Sequence, residues 1–226
     1  MLKCDFHLHT YHPSDNVYYT PKELIDYMAA KGYDVISITN HGWVEYTEKL
    51  ADYAKKKGLL LIPGVELSLE GKDILLINHE DIRNIKKIKD LYKIKSKDNL
   101  IIAPHPYFLL SHCLGKKLEK HIKLFDCVEY SHFYNLFLNL NKKAELIADK
   151  YELALVGNSD AHNFCQIGHT YTFVDADKNI DSIINAVKNR KIKLVTKPLP
   201  VFLFLRIALW EIKTLIYKTF IKIFYK

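Results

Sequence analysis

Histidine and acidic residues recur at the ends of short apolar segments in this chain of 226 residues. His7 and His9 lie in the first segment, where side chains two residues apart on a strand point to the same face. Later segments end at or near residues of the same types, namely His41, Glu66, His79, His105, His132, Asp160 and His162. Clustered imidazoles and carboxylates without thiolates suit divalent ions such as Zn²⁺, Mn²⁺ or Fe²⁺. The pattern therefore predicts a metal centre.

An alternative interpretation is that these are ordinary surface or core histidines. The chain has 11 histidines, so a single His-x-His pair could arise by chance. Chance would, however, scatter histidines over helices and over both ends of strands. Their joint placement at six or more strand ends favours the metal centre.

Between most of these segments lie stretches with helical spacing, predicted over residues 21–31, 43–57, 82–95, 136–150 and 180–191. Parallel strands need helical crossovers of this kind. Strands that alternate with helices and carry reactive groups at their carboxyl ends predict a β/α barrel with one active-site mouth.

The composition, 49% hydrophobic and 26% charged, is that of a globular protein and fits one catalytic domain. The four cysteines form no CxxC pair, and we expect them to be reduced thiols. The N-terminus has no apolar segment typical of a signal peptide, which predicts a cytoplasmic protein.

The net charge of +7 is concentrated in the tail, because residues 197–226 contain six basic residues and one acid. The nearly neutral remainder does not favour a nucleic-acid partner. We predict a division into a barrel, residues 1–196, and a basic amphipathic helical extension, residues 197–226. Charges within the extension argue against a transmembrane helix. It is expected either to pack on the barrel or a second subunit, or to lie peripherally on an anionic membrane surface.

The motifs together resemble those of the PHP (polymerase and histidinol phosphatase) superfamily. They occur in the family's order and are Asp5-Phe6-His7-Leu8-His9-Thr10, Ser14-Asp15, Thr39-Asn40-His41, Gly64-Val65-Glu66, Pro104-His105-Pro106 and Ser159-Asp160-Ala161-His162. The resemblance implies a distorted (β/α)7 TIM-like barrel over residues 1–196, two to three divalent metals (Zn, Mn or Fe) and phosphoester hydrolysis. One departure is Asn40, where the family usually has aspartate.

The resemblance also implies ligand sets for the metals. The first metal would be held by His7, His9, Glu66 and Asp160. The second would be held by the bridging Glu66 with His79 and His105. The third would be held by Asp15, His41 and His162. His12 and His132 are candidate substrate contacts, whereas His112, His121 and His169 have no motif support and are expected not to be ligands.

These expectations combine into a metal-dependent phosphoesterase that hydrolyses a small phosphomonoester or nucleotide-type phosphoester. A hydroxide bound between metals would attack phosphorus in line. Two alternatives remain at this point, a nuclease acting on oligonucleotides and a non-catalytic PHP-like binding or scaffold module.

Overall fold

The computed structural model describes residues 1–13 and 15–224, apart from the side chains of residues 211 and 214–224. Its described residues form a mixed α/β fold built on one sheet of nine strands. The strands are β1 Leu2–Leu8, β2 Val35–Ile38, β3 Leu60–Leu69, β4 Lys72–Ile77, β5 Leu100–Ala103, β6 Cys127–Ser131, β7 Ala154–Asn158, β8 Thr170–Val174 and β9 Ile192–Thr196.

The sheet follows the chain order from β1 to β7 and is extended beyond β1 by β8 and then β9. The β1–β2–β3 pairs and the β5–β6–β7 pairs are parallel. Strand β4 is antiparallel to both of its neighbours, and β8 is antiparallel to β1 and β9. The expected TIM-like barrel is therefore present in distorted form, with nine strands instead of seven and two of them reversed.

Side chains close the sheet into a nearly complete barrel where β7 meets β1 and β8. Thr172 Oγ1 accepts a hydrogen bond from Gly157 N at 2.8 Å and donates one to Gly157 O at 3.0 Å. On the other side, Asn158 Oδ1 accepts from Phe6 N at 2.9 Å. These bonds replace a regular strand ladder at the seam, so the two sheet ends remain in register.

Helices cover the outside of the barrel, and capping residues define where several of them begin. At the first helix, Thr20 and Glu23 form a reciprocal capping box and Pro21 occupies the first turn, where its missing N–H is tolerated. The helices are α1 Pro21–Ala30, α2 Glu48–Lys56, α3 Leu91–Ile94, α4 Lys116–Lys120, α5 Lys142–Lys150, α6 Ile180–Lys188 and α7 Val201–Phe224.

The prediction of one helix over residues 82–95 is wrong, because the helical structure there is much shorter. Only a 3₁₀ turn at Ile88–Asp90 and the short α3 form there. Ile85, Ile88 and Leu91 are buried, but at spacings of three they drift around a 3.6-residue helix instead of lining one face. Because β4 and β5 are antiparallel neighbours, the segment that joins them also needs no helical crossover.

The first part of α7 packs against the barrel. Leu199 and Ile207 are buried, and the ring of Phe204 stacks on Phe133 with centroids 4.3 Å apart. Trp210 reaches the His162 ring at 5.7 Å. The amphipathic character expected for the end of the extension falls largely on side chains outside those described. Within the described part of the chain, no helix has the length and apolarity needed to cross a membrane.

Gly157 provides a test of how the barrel closes. A Cβ at this position would lie 2.9 Å from Thr170 Cγ2 and 3.0 Å from Tyr171 O, and would also collide with Leu194 Cδ1. We expect Gly157→Ala to lower the free energy of unfolding by about 1–3 kcal/mol because β8 and β9 must move outward. Urea unfolding measures this change.

The control for this variant is Gly71→Ala, at a left-handed turn with open space around it. It should lose about 1 kcal/mol through backbone strain alone. An unchanged stability of Gly157→Ala would contradict close packing at the seam.

Candidate metal centre

Glu66, at the mouth end of β3, lies at the centre of a cluster of imidazoles. Its Oε2 is 3.1 Å from His41 Nδ1, 3.3 Å from His7 Nε2 and 3.4 Å from His9 Nε2. Its Oε1 is 3.5 Å from His105 Nε2. Burial opposes ionisation of this carboxyl, but the facing histidines, His41 foremost, hold its pKa well below its usual range. Glu66 is therefore an ionised carboxylate placed to bridge two cations.

His7 and His9 face the mouth from the end of β1, together with Asp160 from the loop after β7. Asp160 Oδ1 lies 3.3 Å from His7 Nε2 and 3.3 Å from His9 Nε2. Burial alone would lower the pKa of His7, yet the surrounding carboxylates, Asp160 foremost, raise it well above its ordinary value. The structure therefore brings together His7, His9, Glu66 and Asp160, the residues that the family resemblance implies for the first metal.

His41, Asp15 and His162 form a second group beside His9. His9, His41 and His162 converge closely enough to hold one ion, and the His9 and His162 rings stack with centroids 4.2 Å apart. Asp15 accepts hydrogen bonds from the backbone N–H of His41, and its Oδ1 lies 3.8 Å from His41 Nε2. His162 Nδ1 lies 3.1 Å from Asp160 O, which places the ring proton there and leaves Nε2 available as a ligand.

The structure does not bring His79 to this cluster, which corrects the expectation for that residue. Strand β4 runs antiparallel, so its carboxyl end lies away from the mouth, where Asn78 N donates to Pro63 O at 2.7 Å. His79 instead contacts Asp81 O through Nε2 at 3.1 Å.

The acid that β4 contributes to the mouth is Asp73, at the beginning of the strand. Asp73 groups with Glu66 and His105 as a possible three-residue ligand set. Burial, followed by the charge of Glu66, raises the pKa of Asp73 to about 7. Asp73 is not among the residues predicted from the sequence, although an acid at the start of an otherwise apolar segment is a visible signal.

The buried polar atoms of this cluster fit bound divalent cations. Among the described residues, His9 Nδ1, His9 Nε2 and Glu66 Oε1 are buried without a hydrogen-bond partner, although carboxylates lie near the two nitrogens of His9. Buried polar atoms are rarely left unsatisfied, so each requires an explanation. The side chains of His7, His9 and Glu66 each place one ligand atom within 4.8 Å of the others, close enough to share one ion.

A second layer of buried acids orients the ligands, and the sequence analysis missed it. Glu129, on β6, accepts from His7 Nδ1 at 2.8 Å, from Asn158 Nδ2 at 3.0 Å and from the backbone N–H of His105 at 3.2 Å. This contact directs the Nε2 atom of His7 to the cluster. Asp5 Oδ1 accepts from the backbone N–H groups of His7 and Ser159, and burial raises the pKa of Asp5 to about 7.

Two of the ligand residues adopt left-handed backbone conformations that non-glycine residues rarely occupy. The φ angles are 28° at His105 and 45° at Asp160. Such strain persists where the surroundings hold it, and it occurs preferentially at functional sites. Both residues lie two positions after a strand end, where His105 faces Glu66 and Asp160 faces His7 and His9.

His105 also contacts a thiol that the sequence analysis treated as unremarkable. Cys113 Sγ lies 3.4 Å from His105 Nδ1, and His112 Nε2 lies 3.9 Å from Asp73 Oδ2. His105, His112 and Cys113 together could hold an ion. His112, expected not to be a ligand, therefore lies against the edge of the metal centre.

The two candidate substrate contacts, His132 and His12, have different neighbours. Gln166 Oε1 accepts from the backbone N–H groups of His162 and Asn163, so its amide nitrogen faces His132 Nε2 at 3.3 Å. The ring proton of His132 is then on Nδ1, a buried atom without a partner among the described residues. His12 is partly exposed, and its ring stacks on Trp43 at 5.9 Å.

Asn40, the departure from the family pattern, lies outside the cluster of ligand atoms. It is fully buried, accepts a hydrogen bond from Thr10 N at 2.8 Å and donates one to Thr10 Oγ1 at 2.9 Å. An amide makes both bonds, whereas an ionised carboxylate could only accept. Asn40 therefore holds the loop that carries Asp15 without needing a charge.

Known proteins resemble this chain in sequence over one segment and in fold over most of its length. A family model described as PHP-associated matches residues 139–192. This segment of the chain is therefore similar to PHP-associated sequences. An uncharacterized protein of Methanocaldococcus jannaschii is 27% identical over 128 residues, which are 52% of this chain and 75% of that relative.

Solved structures share the PHP fold at low sequence identity. A two-domain protein from Bacteroides vulgatus, described as containing a predicted PHP-like metal-dependent phosphoesterase, has a TM-score of 0.65 and 24% identity. The match covers 86% of this chain and 64% of that protein, so this chain spans less than two thirds of it. A Bifidobacterium adolescentis protein, provisionally named a metal-dependent phosphoesterase, has a TM-score of 0.52 and 13% identity, covering 71% of this chain and 87% of that one.

Asp73 lies at the cluster and His79 lies away from it, so substitutions at these two positions should affect metal affinity differently. We expect Asp73→Asn to weaken binding of Mn²⁺ or Zn²⁺ by about tenfold or more, because it removes an anionic oxygen at the cluster. His79→Ala should bind as tightly as the original protein. Titration against a chromogenic chelator measures both affinities, and a larger loss in His79→Ala would contradict the position of β4.

His132 gives a prediction for the pH dependence of stability. Burial lowers its pKa from 6.5 to about 4, so the folded protein binds fewer protons than the unfolded chain between these values. Stability should then fall as the pH drops from 6.5 to 4, by at most about 3 kcal/mol from this group. Urea unfolding at several pH values should show that the free energy of unfolding falls less between pH 6.5 and 4 in His132→Gln than in the original protein. An equal fall in both proteins would contradict a neutral buried imidazole.

Proposed function

We propose that this protein is a metal-dependent phosphoesterase that hydrolyses a phosphomonoester or a nucleotide-type phosphoester. The observation that carries the proposal is the placement of Glu66, an ionised carboxylate that faces four histidines and has one buried oxygen with no hydrogen-bond partner among the described residues. The PHP-like phosphoesterases with the same fold support the reaction class.

Three ligand groups follow from the geometry. One consists of His7, His9, Glu66 and Asp160, a second of Glu66, Asp73 and His105, and a third of His9, His41 and His162 with Asp15 beside them. Divalent ions held there would acidify an attacking water and neutralise the phosphoryl and leaving-group oxygens. Two or three ions of Zn, Mn or Fe agree with this mixture of imidazole and carboxylate donors.

Residues around the ligands would position the substrate. His132 offers its Nδ1–H as a fixed donor for a phosphoryl oxygen, since Gln166 occupies the other ring nitrogen. Because burial lowers the pKa of His132, the ring stays neutral at pH 7 and carries a single proton, which Nδ1 can donate. His12 at the rim is the second candidate contact, held by its stacking on Trp43.

The second layer would keep the ligands in a productive arrangement. Glu129 fixes the ring proton of His7 on Nδ1 and also binds the backbone of His105, which lies across the mouth. An orienting carboxylate of this kind raises the basicity of the imidazole that it contacts. A preorganised charged site is the main source of rate enhancement available for so slow a reaction as phosphoester hydrolysis.

The nearly neutral barrel favours a small phosphorylated substrate over a nucleic acid. The filled ligand positions argue against a non-catalytic scaffold, because such a module would have no need to keep buried unpaired ligand atoms together.

Phosphate release from a panel of phosphomonoesters and short oligonucleotides, with Mn²⁺ or Zn²⁺ present, tests the proposal. We expect metal-dependent release that falls by at least about 10²-fold in Glu66→Gln, because the bridging charge is lost. His79→Ala serves as the matched control and should retain full activity. The proposal fails if a folded, metal-loaded protein releases no phosphate from any substrate, or if Glu66→Gln is as active as the original protein.

A further inference from the structure

The exposed large apolar side chains are concentrated around the mouth of the metal centre. Sixteen such side chains are exposed among those described, and thirteen of them belong to mouth-side loops or to α7. They are Tyr11, Tyr18, Trp43, Leu109, Leu110, Leu136, Phe137, Leu138, Val201, Phe202, Leu205, Leu209 and Ile212. Scattered surface hydrophobes are ordinary, but a concentration on one face marks an interaction surface.

Helix α7 contributes a continuous apolar stripe to this face. Phe202, Leu205, Leu209 and Ile212 are exposed and follow one another at spacings of three and four, so they share one side of the helix. The opposite side, which carries Ile207, packs on the barrel. The exposed stripe is therefore not the side by which α7 packs on the protein core, because the side that carries Ile207 already does so.

The loops after β5 and β6 present apolar side chains at their tips. Leu109 is 89% exposed, Leu136 is 83% exposed and Phe137 is 87% exposed. Side chains that protrude this far from separate loops do not form the flat, closely packed patch typical of a protein interface. They suit a deformable apolar medium into which each can insert independently.

Basic residues adjoin the apolar stripe. Arg206 and Lys213 are exposed at its border, and the tail as a whole carries six basic residues and one acid. A second copy of this chain is a poor occupant, because a symmetric dimer places the same patch against itself and would bring two basic tails together. An anionic surface complements the charge.

We propose that this face docks on an anionic lipid bilayer, with the α7 stripe and the tips of the two loops inserted among the lipids. The metal centre then opens toward the bilayer, since Trp210 of α7 contacts His162 and Phe204 stacks on Phe133. The consequence for substrate class, which rests on the proposed function, is a phosphomonoester carried by a lipid headgroup.

Vesicle binding tests the docking without reference to catalysis. The full chain is sedimented with vesicles of phosphatidylcholine alone or of phosphatidylcholine mixed with phosphatidylserine. We expect binding to the anionic vesicles that weakens between about 0.1 and 0.5 M NaCl as charges are screened. The variants Leu205→Ser/Leu209→Ser and Leu136→Ser/Phe137→Ser should each bind about tenfold or more weakly.

The matched control is Leu146→Ser, which removes an exposed leucine on α5 away from the stripe and the loop tips. It should bind as the original chain does. The docking proposal is overturned if the chain does not sediment with anionic vesicles, or if the stripe and loop variants bind as well as Leu146→Ser. It is also overturned if light scattering shows a dimer that the stripe variant dissociates.

Turnover separates this proposal from the proposed function. Phosphate release is compared between phosphatidate in the mixed vesicles and p-nitrophenyl phosphate in solution, with Mn²⁺ present. We expect the activity of Leu205→Ser/Leu209→Ser on phosphatidate to fall by about tenfold or more, and its activity on the soluble ester to stay unchanged. Activity on the soluble ester without any on phosphatidate would overturn the proposal of a lipid substrate, whereas the proposed phosphoesterase activity would be supported. Vesicle binding without activity on phosphatidate would support the docking and overturn the lipid substrate, whereas the phosphoesterase proposal is overturned only if the whole substrate panel gives no phosphate.

Discussion

A fully buried carboxylate is unfavourable unless polar or charged partners compensate for its lost hydration, and Glu66 has such partners. Four imidazoles from the ends of three other strands lie within 3.1–3.5 Å of its oxygens. These strand ends can converge only if the sheet curves until it is nearly closed. The barrel and the metal centre therefore depend on each other, because the geometry that closes the sheet is also the geometry that gives Glu66 its partners.

The same dependence is visible at the barrel seam. Asn158 accepts a hydrogen bond from Phe6 N, which joins β7 to β1, and donates one to Glu129. Glu129 in turn orients His7. One amide thus links closure of the sheet to the direction of a ligand ring. A shift at the seam would be transmitted to the metal centre within two hydrogen bonds, since such buried networks are cooperative.

The mouth combines a charged interior with an apolar rim. The ligands are buried beneath it, while Leu109 and Phe137 project outward from its loops and α7 adds a stripe beside them. Apolar groups at the rim favour contact with an apolar medium, whereas the divalent cations that we propose to bind inside would favour an anionic reacting group. The lipid phosphomonoester that we propose as substrate would satisfy both requirements.

The sequence by itself determined the alternation of strands and helices and the residues that could be ligands, because apolar periodicity and residue type are local properties. It identified Glu66 and the histidines around it, and the family resemblance grouped them. Tertiary structure decided which acid β4 contributes, since strand direction depends on pairing with partners elsewhere in the chain, and this exchanged His79 for Asp73. It also decided the role of Glu129, which meets His7 across 122 residues of sequence. No local pattern encodes such a contact, because it arises only when the sheet curves.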